Sequence, residues 1–98
     1  MLSRYTIECQ CPAYNVGLHK ARLINTSTNE VLAYGSNENA GNLELSKSTI
    51  ITSITVETQM TISIQHRCQN TFNDGLGLAL GFDCDEVYTT IKIQRGMK

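Results

Sequence analysis

The stretch RYTIECQC, residues 4–11, sets the class of the fold. Its odd positions, Tyr5, Ile7, Cys9 and Cys11, form one apolar face, and Arg4, Thr6, Glu8 and Gln10 form the other. A period of two is the mark of a strand with one buried side, because successive side chains leave a pleated backbone on opposite faces. Pro12 has no backbone donor and is expected to end the run.

The same rhythm recurs outward from there. HKARLI (19–24) sets His19, Ala21 and Leu23 against Lys20 and Arg22, and NTSTNE (25–30) supplies a turn before the short strand VLAYG (31–35). SNENAGN (36–42) is the most polar part of the chain and reads as an exposed loop. Beyond it, Ile54, Val56, Met60, Ile62 and Ile64 keep one even phase, which predicts either one long strand or a hairpin broken near ETQ (57–59). TISIQHRC (61–68) is a strand that runs into the polar turn QNTFNDG (69–75). In GLGLALGF (75–82), Leu76, Leu78, Leu80 and Phe82 share one face and Gly77, Ala79 and Gly81 the other, so this strand can lie close to another backbone. EVYTTIKIQ (86–94) is the last strand. Helical periodicity is nearly absent. Six or seven half-buried strands with Gly, Asn and Asp turns predict an all-β, antiparallel two-sheet sandwich forming one domain over residues 1–98.

Composition narrows the function classes. Eight Lys plus Arg against nine Asp plus Glu give a net charge of −1, which supplies no field for nucleic acid or an anionic membrane. No apolar run is long enough for membrane insertion, and MLSRYTIECQCP lacks the pattern of a signal peptide, so a soluble chain made in the cytoplasm is expected. Only 17% of residues are charged against 41% hydrophobic, few charges for the surface of an isolated monomer, so self-association is expected.

Cys9, Cys11, His19, His66 and Cys68 are all candidate soft ligands. Zinc loops set two cysteines on a tight turn, whereas Cys9 and Cys11 stand two apart on one strand face, which argues for thiols packed as small hydrophobes. That spacing also suits a mutual disulfide poorly, although Cys68 with Cys84, or either with the N-terminal pair, is geometrically open. A cytoplasmic origin favours free thiols. His19 and His66 fall in phase with the apolar faces of their strands, predicting packed, hydrogen-bonded imidazoles rather than a catalytic base. Asp74, Asp83, Asp85 and Glu86 lack the pattern of a calcium loop and read as solvated turns. No catalytic residue, metal or cofactor is expected.

CPAYNVGLHKARLIN, ISIQHRCQNT, GLGLALGF and EVYTTIKIQR together resemble, in order and over nearly the whole chain, the C-terminal head domains on tail fibres and related virion proteins of bacteriophages, particularly aquatic and cyanobacterial phages. The resemblance implies a jelly roll of the complement/tumour-necrosis-factor type, a homotrimer, and a non-enzymatic role on a virion assembled in the host cytoplasm. The expected partners are further copies of the chain, tail or major capsid proteins, and a host-surface glycan or protein. The threefold contact would be Leu76, Gly77, Leu78, Ala79 and Leu80, where alternating leucine with glycine or alanine supplies apolar area with little bulk. Receptor contacts would be Asn37, Asn39, Asn42, Asn70, Phe72, Asn73 and Asp74, with Tyr14 and Tyr34 as further stacking faces. The resembling domains carry additional strands upstream of the segment matching SRYTIECQCPAY and often a fibrous shaft. Without these, the expectation is a reduced sandwich or one that borrows a strand from a neighbouring chain. A capsid decoration protein is the alternative virion role, and a small cysteine hydrolase or zinc protein the remote one.

Overall fold

The structure, a computed structural model, describes residues 3–77 and 87–96. Every regular element in them is a strand: β1 (Ser3–Tyr14), β2 (Gly17–Asn25), β3 (Glu30–Tyr34), β4 (Glu38–Ala40), β5 (Leu45–Val56), β6 (Ile62–Cys68) and β7 (Thr90–Arg95). They form two antiparallel sheets. One has the order β5-β1-β7; in the other, β2 is central, with β3 and β4 along one edge and β6 along the opposite edge. Ile7, Cys9 and Cys11 from β1 and Ile50 from β5 meet Ala21 and Leu23 from β2 in a fully buried cluster, so the sheets pack face to face as a β-sandwich.

The period-two reading of residues 4–11 holds, but Pro12 does not end β1. The strand continues to Tyr14, with Pro12 opposite Lys47 of β5. The backbone N–H of Asn15 donates toward β5, to Glu44, while that of Tyr14 donates away from it, to Gly75. Pro12 shares the phase of Tyr14, and β7 stops pairing at Gln10. Its missing donor therefore falls where, among the described residues, the ladder has no strand partner, the place where a sheet tolerates proline.

Four further expectations change. SNENAGN is not wholly loop: Glu38–Ala40 forms β4 against residues 17–19 of β2, and Ala40 is buried. The long segment does break near ETQ, but its halves are no hairpin; β5 lies in one sheet and β6 in the other. The final strand begins at Thr90, so Val87, Tyr88 and Thr89 precede it. Gly75 and Leu76 occupy a turn rather than the start of a leucine-glycine strand, and the remainder of that reading, with Leu78, Ala79, Leu80 and Phe82, lies outside the described residues.

Ser48 joins the two sheets. β3 and β4 share one edge of β2 and leave Ala21 without a strand partner there, and a buried backbone group needs one. Ala21 N–H donates to Ser48 Oγ at 3.0 Å, the Ser48 hydroxyl donates to Ser36 O at 2.7 Å, and Ala21 O accepts from Gly35 N–H. Gly35 is required at this point, since a Cβ there would stand 2.5 Å from Ser48 Oγ.

Candidate functional site

One end of the sandwich is built around Val16. Its N–H donates to Ala40 O and its carbonyl accepts from Asn70 N–H, so the two polar loops flank it on either side. The second loop, residues 69–77, is fixed by its own turns, with Gly75 N–H donating to Phe72 O and Gly77 N–H to Asp74 O. Gly75 has no room for a side chain: a Cβ would come within 2.9 Å of Phe72 O.

Between this loop and Tyr88 opens a cleft of about 710 Å³. Asn70, Phe72, Asn73 and Asp74, four of the seven contact residues expected from sequence, line it; Asn37, Asn39 and Asn42 do not. Asn37 lines a different cavity beside Leu18, Asn39 is exposed on β4, and Asn42 sits in an exposed turn at φ 52°. Tyr14 stacks edge-on against Phe72 with ring centroids 5.8 Å apart, which holds the Phe72 ring in place while leaving part of it exposed. Tyr34 lies elsewhere, on the outer face of the second sheet, with Lys20 Nζ 5.0 Å from its ring centroid. The cleft offers two amides, a hydroxyl, a carboxylate and two partly exposed rings, an inventory suited to hydrogen-bonding and stacking on a polar, ring-shaped ligand such as a sugar.

Leu76 and Gly77, expected at a threefold contact, also line the cleft. Gly77 lies close against Tyr88 of the same chain: at φ +149°, a Cβ at this position would run into the Tyr88 ring.

His66 and Cys68 form the inner wall. The inward phase of His66 agrees with the sequence reading; Cys68 shares it, and Arg67 between them is exposed. Behind them runs a chain of polar contacts. His66 Nε2 is 2.8 Å from His19 Nδ1, and His19 Nε2 is 2.6 Å from Ser46 Oγ. These contacts tie β6, β2 and β5 together, and they supply both ring nitrogens of His19, a residue only 4% exposed. Burial holds both imidazoles below the usual histidine range; Glu38 opposes the shift at His19, and the neighbouring ring reinforces it at His66.

Ser46 is the participant that sequence reading missed. The order Ser46–His19–His66 has the distances of a nucleophile, its base and an orienting group. Ser46 does not line the cleft, however, whereas His66 reaches it. The chain of contacts is therefore read as the polar rivet between sheets.

Cys9 and Cys11 are free thiols in the core with Sγ atoms 3.3 Å apart, and burial together with Cys9 pushes Cys11 up to about 12. Cys68 is also a free thiol, pushed up by burial, the opposite of what an activated cysteine requires. Cys84, Asp83, Asp85 and Glu86 lie outside the described residues. Among the described residues no three His, Cys, Asp or Glu side chains group as metal ligands. The geometry thus defines a two-sheet antiparallel β-sandwich with a polar-aromatic cleft at one end. Comparison of the chain with family models, curated proteins and solved structures gave no match.

Proposed function

We propose that this chain is a non-enzymatic structural module of a bacteriophage particle surface, a jelly-roll homotrimer that adheres to a host-surface glycan or protein through the Phe72 cleft. The observation that carries the reading is an uncovered apolar flank. Ile91 and Ile93 of β7 stand in register with Cys9 and Ile7, which are buried, yet they are 43% and 52% exposed. They face the interior side of their sheet without a complete cover among the described residues, and Val87, ahead of the strand, is exposed as well. Apolar surface left open on an inward face is the kind that association with another copy buries.

The sandwich fold, the order of the resembling motifs and a cleft lined by amides and aromatic rings support the adhesive role. Binding of the purified chain to whole host cells and to a glycan array tests it. Wild-type protein is expected to bind, and Phe72→Ala or Asn73→Ala to weaken binding about tenfold or more, the scale of about 1.4 kcal/mol or more of contact energy. Blank arrays together with blank cells would overturn the adhesive reading.

A further inference from the structure

The outer face of the β2–β6 ladder carries side chains that neither the core nor the cleft uses. Lys20 and Arg22 alternate outward on β2 and Gln65 and Arg67 on β6, with Gln69 just beyond. Register sets Lys20 directly opposite Arg67 and Arg22 opposite Gln65. Like charges placed directly across a ladder destabilise it, so the fold gains nothing from this pair. Nor is the patch the overflow of a basic chain, since the net charge is −1.

The two glutamines extend the pattern. Arg22 Nε–H donates to Gln65 Oε1 at 2.7 Å, and the Leu18 N–H donates to Gln69 Oε1 at 3.1 Å. Each bond fixes its amide with the carbonyl turned into the fold, which takes one acceptor position and leaves both NH₂ groups to donate. Lys20, Arg22, Arg67, Gln65 and Gln69 therefore present mainly donors, beside the exposed ring of Tyr34. Two shallow cavities of about 560 and 480 Å³ cross this face, and Lys20 and Arg67 line both. Glu38, the carboxylate lining the second, accepts from Ser36 Oγ at 2.8 Å.

We propose that this face binds an acidic polysaccharide, a sugar chain bearing repeated carboxylate or sulfate groups. A surface of donors matches a ligand of acceptors, and the two guanidinium groups suit the planar, paired oxygens of carboxylate or the oxygens of sulfate. Two adjoining cavities sharing two cations match a repeating anion better than a single one. Tyr34 gives a sugar ring an apolar face to rest on. Nucleic acid fits less well, because its binding rests on many phosphate contacts and a strong positive field, and this chain has three cations here and no net positive charge. The site uses none of the loop residues of the Phe72 cleft and does not depend on the virion role.

Surface plasmon resonance with the intact chain tests the proposal on immobilised dextran sulfate and polygalacturonate, with plain dextran as the neutral surface. The wild type is expected on the acidic surfaces and not on dextran, weakening as salt rises. Lys20→Gln/Arg67→Gln is expected to lower binding about tenfold or more, while Tm stays level or rises because the opposed like charges are gone. Lys47→Gln/Lys92→Gln removes the same charge from the other sheet and should bind like the wild type. Equal binding to plain dextran, or equal loss in both double variants, would overturn the site. Inorganic sulfate that competes as well per sulfate as the polymer would reduce it to a single-anion site, and tighter binding to duplex DNA would reassign it to nucleic acid; either result overturns the polysaccharide.

Discussion

Ser46→Ala should be among the most damaging single-atom deletions in this protein. The hydroxyl stands 2.6 Å from Nε2 of His19, whose other nitrogen is 2.8 Å from His66, and His19 is 4% exposed. Losing it strands one nitrogen of a buried ring. A buried group left unpaired costs about 1 to 3 kcal/mol, and in a domain of this size each kcal/mol lowers Tm by about 4 to 8 °C. The expected drop is thus about 5 to 20 °C by differential scanning calorimetry near neutral pH. Ser46→Thr keeps the hydroxyl and suits a strand, so it should recover most of the loss. His66→Ala strands the opposite nitrogen of the same ring. The double variant Ser46→Ala/His66→Ala should therefore fall short of the sum of the singles, since members of one network couple. A fall below about 2 °C for Ser46→Ala, or strict additivity in the cycle, would show that the contacts do not rivet the sheets.

Four further outcomes follow from the same geometry. Folding favours the neutral form of both histidines, so their contribution is fully present above about pH 6.5 and is lost as pH falls through their lowered folded values; chemical denaturation at pH 7.5 and pH 5 should show this loss, at no more than about 1.4 kcal/mol per pH unit per histidine. Ile91→Ser/Ile93→Ser removes two half-covered side chains, each able to contribute roughly 1 kcal/mol when a second copy covers it, and should weaken association about thirtyfold per contact in sedimentation velocity; unchanged association would free this flank of its role. Gly77→Ala drives a methyl into the Tyr88 ring at positive φ and should lower Tm by several degrees, roughly 1 kcal/mol or more, with no need of a partner chain to explain it. A fluorophosphonate probe should leave Ser46 unlabelled, and stoichiometric labelling would restore the enzyme reading.

Much of the fold was legible because alternation is a local property. The face of β1 bearing Ile7, Cys9 and Cys11, and the inward phase of His66 and Cys68, follow from a period of two and needed no knowledge of partners. What failed depended on partners. Pro12 was expected to break a strand because proline lacks a donor; whether that donor is needed depends on where β7 ends, which no local pattern contains. Glu38–Ala40 looked like loop because its residues are polar, and it is a strand because the edge of β2 beyond β3 was open to it. The two halves of the long Thr, Ser and Ile segment share one phase in sequence and still belong to different sheets. In the cleft, the Asn, Phe and Asp of the second loop were visible as polar turn residues beside a ring. Ser46 was not, since a serine on an alternating strand carries no mark until His19 is seen to face it.

Mass spectrometry and cryo-electron microscopy of purified particles, from the host in which this chain is made, test the virion role most directly. The account predicts the chain among the particle's structural proteins and a threefold-symmetric, sandwich-sized density at the particle surface that accommodates three copies. A particle without the chain, or a surface density holding a lone copy, would contradict it.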